Sequence, residues 1–278
     1  MYTLICALVV LTLTLAIPAA LQVALKWTLL PGFVLGIVTF IALSRRISKR
    51  LEAVNAAADA EMAQLNQLAQ QMATRPNLRN PALLTDRIDA AVAIYQRGFF
   101  LTKWQFGVAL MLNARIGMLL FMMPQIDKQN AKIGDAIPYL TRALVGGRKV
   151  QLLSGLWPAW AMLAVAHFKK KDLAGARAVF DKFIEHLKKE PMPWQIYAWL
   201  LWKGDERDAA ISVLARAKDA MPDDEAIRDN LVALQNGKKM SMSSYGDLWY
   251  QFALEEPKMP QMPRMPHPRT RAASSRRR

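Results

Sequence analysis

Trp160-Ala161-Met162-Leu163-Ala164-Val165-Ala166-His167 and Trp194-Gln195-Ile196-Tyr197-Ala198-Trp199-Leu200-Leu201 decide how this chain folds. Trp160, Leu163, Ala164 and His167 of the first recur as Trp194, Tyr197, Ala198 and Leu201 of the second. Further on, Ala176, Phe180 and Phe183 recur as Ala210, Leu214 and Ala217. Every pair is offset by 34 residues. A fixed offset of this size marks stacked supersecondary units, none of which can bury its apolar face alone. Small residues at Ala164, Ala176, Ala198 and Ala210 let two antiparallel helices approach closely. Bulky Trp160, Phe180, Trp194 and Leu214 fill the space between successive pairs. Lys171-Asp172 and Lys203-Gly204-Asp205 supply the turns within the units.

The unit resembles the tetratricopeptide repeat, whose pattern is Trp-x2-Leu-Gly-x2-Tyr, then Ala-x3-Phe, then Pro. Trp160, Leu163, Ala176, Phe180 and, in the second unit, Pro222 carry the resemblance. Ala164 and Ala198 stand where the family has Gly, and neither unit has its Tyr. The earlier unit has Lys188 at the terminal-proline position, with Pro191 late. The resemblance extends weakly over 113–236. Downstream, Asp224–Gln235 reads as a following first helix. Upstream, Ile116-Gly117-x2-Leu120 and Ala136-x3-Leu140 with Ala143 read as a unit with a longer turn. Pro81–Phe99 reads as one more amphipathic helix, and Ser241–Leu254 as a final helix capping the solenoid.

The resemblance implies binding, with first helices lining a concave groove for a peptide or partner helix. Phe168, Lys169, Gln195, Trp199, Trp202 and Lys203 are the candidate groove residues. Two tryptophans beside two lysines suit an aromatic or acidic segment; the competing reading packs Trp199 and Trp202 inside the solenoid. The asparagines that grip a terminal carboxylate in chaperone-binding members are not at these positions.

Hydrophobic residues form 53% of the 278-residue chain, and they concentrate at its start. Tyr2–Leu21 and Trp27–Leu43 are two apolar runs, and Lys26 is the single charge between Tyr2 and Leu43. A membrane-spanning helix takes about 20 residues, so the runs suggest a transmembrane hairpin. Arg45, Arg46, Lys49 and Arg50 follow at once, and by the positive-inside tendency both hairpin ends face the cytoplasm, as in a bacterial inner membrane. A cleaved signal peptide is the competing reading of the first run. It lacks a basic n-region, and Ile17-Pro18-Ala19-Ala20 is a poor cleavage site. A third apolar stretch, Phe106–Met123, is interrupted by Asn113 and Arg115 and reads as a buried helix.

Ile47, Leu51, Val54, Ala58, Glu61, Leu65, Leu68 and Met72 alternate spacings of four and three, the period of a coiled coil broken once by Glu61. This linking helix either packs on its own domain or forms a seam for self-association. At the other end, Pro257, Pro260, Pro263 and Pro266 recur every third residue beside Arg264 and Arg269, the period of a polyproline II helix. That tail is expected to be a solvated extension or a ligand for a proline-recognising domain.

The formal charge of +15 is unevenly spread, with seven basic residues and no acid between Pro257 and Arg278. Arg276-Arg277-Arg278 and the cluster from Arg45 to Arg50 are candidate contacts for anionic lipid. Nucleic acid is not expected, because basic and aromatic residues do not interleave. Cys6 alone excludes an internal disulfide. No catalytic, cofactor or metal constellation is found: His167, His186 and His267 are scattered, and no phosphate-binding glycine loop, zinc-helix motif or nucleophile elbow is present.

The expected architecture is therefore all-α. Residues 1–44 form a transmembrane hairpin, 45–74 a membrane-proximal helix and 75–81 a hinge. Residues 82–256 form a tetratricopeptide-like solenoid, and 257–278 a disordered Pro/Met/Arg-rich tail. The expected function is a membrane-anchored scaffold for protein partners and not an enzyme. The alternatives are an integral subunit of a larger membrane complex, or a lipid or nucleic-acid binder acting through the arginine tail.

Overall fold

The computed structural model describes residues 1–20, 29–75, 80–127, 133–144 and 155–256, and all regular elements among them are helical. In chain order these are α1 (Tyr2–Ala20), α2 (Leu29–Thr74), α3 (Pro81–Arg97), α4 (Val108–Ile126) and α5 (Ala136–Ala143). There follow α6 (Trp157–Lys169), α7 (Leu173–Phe183), α8 (Pro191–Lys203), α9 (Arg207–Ala220), α10 (Glu225–Gln235) and the short α11 (Asp247–Tyr250). A 3-10 stretch, Gly98–Lys103, joins α3 to the loop before α4.

α1 and α2 pack antiparallel through a small-residue seam. A β-carbon at Gly32 would lie 2.8 Å from Thr14 Oγ1, and one at Gly36 would lie 3.5 Å from the Ala7 carbonyl oxygen. Gly32 and Gly36 are four apart, a spacing that lets two helix backbones approach closely. The Thr14 hydroxyl donates back to the Val10 and Leu11 carbonyls at 2.9 and 2.8 Å, so the seam leaves it satisfied. Away from this seam the pair is covered with exposed large apolar side chains, among them Leu8, Leu13, Leu30, Phe33 and Val38.

α2 is a single helix of 46 residues, about 70 Å long. The second apolar run and the linking helix are thus one element, because no Gly or Pro occurs between Ile37 and Thr74 to separate them. Its spaced stripe is used inside the chain: Ala58 and Leu65 are buried, with Val54 partly so, in one core with Ile88, Ala91 and Tyr95 of α3, and Ile47 is buried in the same core beyond the end of α3, with Leu51 partly so. Glu61 pairs with Arg87 of α3 at 3.1 Å, which accounts for the charge interrupting that stripe. The seam offered for self-association is covered by α3. Of the expected hinge, 76–79 lie outside the described residues. Pro81 opens α3, where its missing N–H costs nothing and Asn80 caps through Oδ1.

Two hydrophobic cores meet at α4. Val108, Leu112, Ile116 and Leu119 join the core with α2 and α3, while Ala114 and Phe121 join the core that runs through α5 to α11. Among the described residues, two helices are long and apolar enough to cross a membrane by length and composition: the Leu30–Thr74 part of α2, and α4. Tyr2–Ala16 is a shorter apolar stretch. α4 is apolar on more than one face because it is sandwiched between two cores, and its Arg115 is exposed. It also buries Asn113, whose Nδ2 donates to the Ala109 carbonyl at 2.7 Å.

α6, α8 and α10 start at Trp157, Pro191 and Glu225, each 34 residues after the last. Pro191 is the first residue of α8, so it opens the next unit and does not close the preceding one. Ala164, Ala176, Ala198 and Ala210 are all buried at the helix contacts. Trp160 stacks on Phe183 with centroids 4.3 Å apart, and Phe180 stacks on Tyr197 at 4.8 Å. Upstream, α4 and α5 form a comparable pair: a β-carbon at Gly117 would meet the Leu140 side chain at 2.7 Å.

The three first helices also end alike. Asp172, Glu206 and Lys238 N–H groups donate to the His167, Leu201 and Ala233 carbonyls at 3.0, 2.9 and 2.8 Å. The preceding residues, Lys171 (φ 62°), Asp205 (φ 62°) and Gly237 (φ 75°), are left-handed. This is a Schellman ending, which favours Gly at the left-handed position. Replacing exposed Lys171 by Gly should therefore stabilise the fold by about 0.5–1 kcal/mol, after allowing for the freer unfolded chain. Thermal unfolding of the full chain in detergent should show Tm raised by about 2 °C. An unchanged or lower Tm would contradict this account of the turn.

Candidate functional site

The faces of α6, α8 and α10 that a repeat of this kind would offer to a partner are covered by the chain's own segment 240–256. Met240, Met242, Trp249 and Phe252 of that segment are buried in the same core as Trp194, Trp199 and Leu234. Trp249 meets Trp199 edge-on at 5.6 Å, and Phe252 stacks on Trp157 at 6.1 Å. The expected closing helix over Ser241–Leu254 is not formed. The segment has a 3-10 turn at Ser243–Tyr245, then the four-residue α11, with left-handed Gly246 (φ 51°) and Ala253 (φ 51°) bending the chain. These bends keep several aromatic side chains directed into the groove, which a straight helix would present on one stripe only.

Asn230 on α10 fastens the segment. Its Nδ2 donates to Gln195 Oε1 at 3.0 Å and to the Ser241 carbonyl at 2.9 Å. The Ser241 N–H donates to Asn230 Oδ1 at 2.7 Å. One side chain thus grips both backbone polar groups of a single residue and fixes the start of an irregular segment. Sequence reading passed over Asn230. The available signal was an amide lying between Ile227, Leu231 and Leu234 on the apolar face of a helix.

The six candidate groove residues divide accordingly. Gln195 is fully buried and Trp199 is 4% exposed, so neither is open to a partner. The reason is that segment 240–256 fills the groove with the chain's own apolar side chains. Phe168 is half-buried, edge-on to Trp199 at 6.2 Å. Trp202 is half-buried and Lys203 exposed, with Lys203 Nζ 4.4 Å from the Trp202 ring centre and 5.3 Å from that of Trp199. Lys169 is exposed beside Phe121. It shares a cleft of about 680 Å³ with Phe121, Pro124, Tyr250, Leu254, Glu255 and Glu256. Pro257, Pro260, Pro263, Pro266, Arg264 and Arg269 lie outside the described residues.

Tyr245 in the segment and Asp172 at the turn between α6 and α7 have altered acidity. Burial, reinforced by the charge of Asp224, pushes the Tyr245 phenol up to about 12, so it stays neutral. The Asp172 carboxyl is held below the usual range, first by the Gly175 N–H donating to it at 2.8 Å and then by His167. His167, one of the recurring positions of the first unit, lies near the end of α6. Its side chain is three-quarters buried, with Nδ1 2.8 Å from Asp172 Oδ2, and the pair braces the turn between α6 and α7. Ion pairs Arg177–Glu206 and Arg216–Glu185 link the two units across their outer surface. Among the described residues, no group of three or more His, Cys, Asp or Glu side chains converges on a point where a metal would sit.

Comparison with protein-family models, with curated proteins and with solved structures finds no match for this chain.

Proposed function

We propose that this chain is a scaffold of the tetratricopeptide kind, held in a membrane by the α1–α2 hairpin and working by protein contact, not by catalysis. The observation that carries the reading is the 34-residue recurrence of helix starts, cores and helix endings in a domain built on an apolar hairpin. Exposed apolar side chains all round the hairpin favour lipid as its surroundings, since a soluble chain rarely exposes so large an apolar surface. Arg45, Arg46, Lys49 and Arg50 are all exposed just beyond the apolar part of α2, which favours a cytoplasmic repeat domain and, in a bacterium, the inner membrane.

With the groove occupied by segment 240–256, the docking surface is its open rim, Trp202 and Lys203. Photo-cross-linking in native membranes from a reactive residue at position 202 tests this. A protein adduct that disappears on Lys203→Glu is the expected result. Adducts with lipid alone, or with nothing, would remove the scaffold reading. Reporter fusions that put the C-terminus outside the cytoplasm would overturn the topology.

A further inference from the structure

Outside the hairpin, the exposed large hydrophobic residues among those described are Leu83, Phe100, Phe106, Val232 and Leu248. Two of them, Phe100 (54% exposed) and Phe106 (64% exposed), lie on the single loop between α3 and α4. The loop is tied to the foot of the hairpin. The Met1 ammonium donates to the Lys103 carbonyl at 2.6 Å, and the Thr3 hydroxyl and N–H both donate to the Trp104 carbonyl, at 2.7 and 3.3 Å. Tyr2 and Trp104 meet edge to face at 5.3 Å.

The depth of this loop follows from its contacts along α2. Gly98 packs at Val54, where its β-carbon would meet Val54 Cγ1 at 3.2 Å. Trp104 is level with Thr3, and the antiparallel register that sets Gly36 beside Ala7 and Leu11 puts Tyr2 near Leu43. Between Gly98 and Trp104 the chain therefore descends along α2 from the level of Val54 towards that of Leu43, then turns back at Gly107 into α4. Its lowest part, Lys103 to Phe106, reaches the level where the apolar run of α2 gives way to Arg45 and Arg46.

We infer that the loop 98–107 is an interfacial anchor that inserts Phe100 and Phe106 into the headgroup–acyl boundary of an anionic bilayer, with Lys103, Arg45 and Arg46 on the lipid phosphates. Aromatic rings beside basic groups suit that boundary, where one end of the site is apolar and the other wet. The anchor holds the α3–α4 region against the membrane and so sets the repeat domain at a defined tilt. It rests on the membrane reading of the hairpin.

Nitroxide labels on the full-length chain with Cys6→Ser, in vesicles of phosphatidylcholine and phosphatidylglycerol, test it. Labels at Phe100→Cys and Phe106→Cys should show oxygen-to-nickel accessibility ratios several-fold above that at exposed Asp208→Cys on α9. The ratio at position 106 should fall on Arg45→Glu with Arg46→Glu, or in phosphatidylcholine alone. Leu8→Cys and Val38→Cys on the hairpin report the membrane reading separately. Lipid-like values at 8 and 38 with water-like values at 100 and 106 would overturn the anchor alone. Water-like values at all four would overturn the hairpin reading and the anchor with it. Equal ratios with and without anionic lipid would overturn the role of the basic groups.

Discussion

Trp249→Ala is expected to destabilise the repeat domain by about 3–5 kcal/mol and to release segment 240–256 from the groove. Trp249 is 1% exposed, meets Trp199 edge-on, and donates its indole N–H to Glu255 Oε2 at 3.0 Å. Truncation removes the transfer energy of a whole indole and leaves a cavity that the short α11 cannot close. For a domain of ordinary stability, about 5–15 kcal/mol, the loss is a large fraction of the total. Two measurements check it. Urea unfolding of the full chain in detergent should shift to a lower midpoint. Trypsin should also cut faster at exposed Lys238 and Lys239, because segment 240–256 no longer holds them near α10. An unchanged midpoint with unchanged proteolysis would mean that the segment is not a structural part of the groove. Trp249→Phe, which keeps most of the apolar contact, should lose far less.

Asn230→Leu is expected to cost about 3 kcal/mol for a different reason. The leucine has similar volume, so the loss is mainly polar: Gln195 Oε1 and both backbone groups of Ser241 lose their partners. A buried donor or acceptor left dry costs about 1–3 kcal/mol, and water reaching Ser241 recovers part of it. The double variant Asn230→Leu with Gln195→Leu should be less damaging than the two single losses added together, since it removes both members of the buried pair. Additive losses in urea unfolding would show that the two amides act independently, against the 3.0 Å contact between them.

The groove is thus a self-occupied site. Any peptide partner of the buried faces of α6 and α8 would have to displace Trp249 and break the Asn230 grip. A partner at the rim meets Lys203 already seated over two indole rings. Charge reversal at Lys203 therefore removes both a cation–π contact within the chain and the rim's positive charge. The Lys203→Glu cross-linking result should accordingly be read beside its stability.

Much of the architecture is written locally. The recurrence of Trp160 with Trp194, and of Ala176 with Ala210, follows from the spacing that close-packed helix pairs need, so the helices are legible without the fold. The all-α class follows from the same periodicities, and the apolar runs at the start follow from composition alone. What depended on tertiary structure is which surfaces remain open. The stripe on α2 has the same pattern whether a second copy or α3 covers it, and only the placement of α3, with Arg87 opposite Glu61, decided between them. Trp199 and Gln195 have groove-facing spacing, but a segment more than 40 residues later in the chain fills the groove. Phe100 and Phe106 read as ordinary loop residues until the descent along α2 brings Trp104, which lies between them in the chain, against Tyr2. Periodicity records which face of a helix is apolar, whereas the identity of what covers that face is a long-range contact that no local pattern encodes.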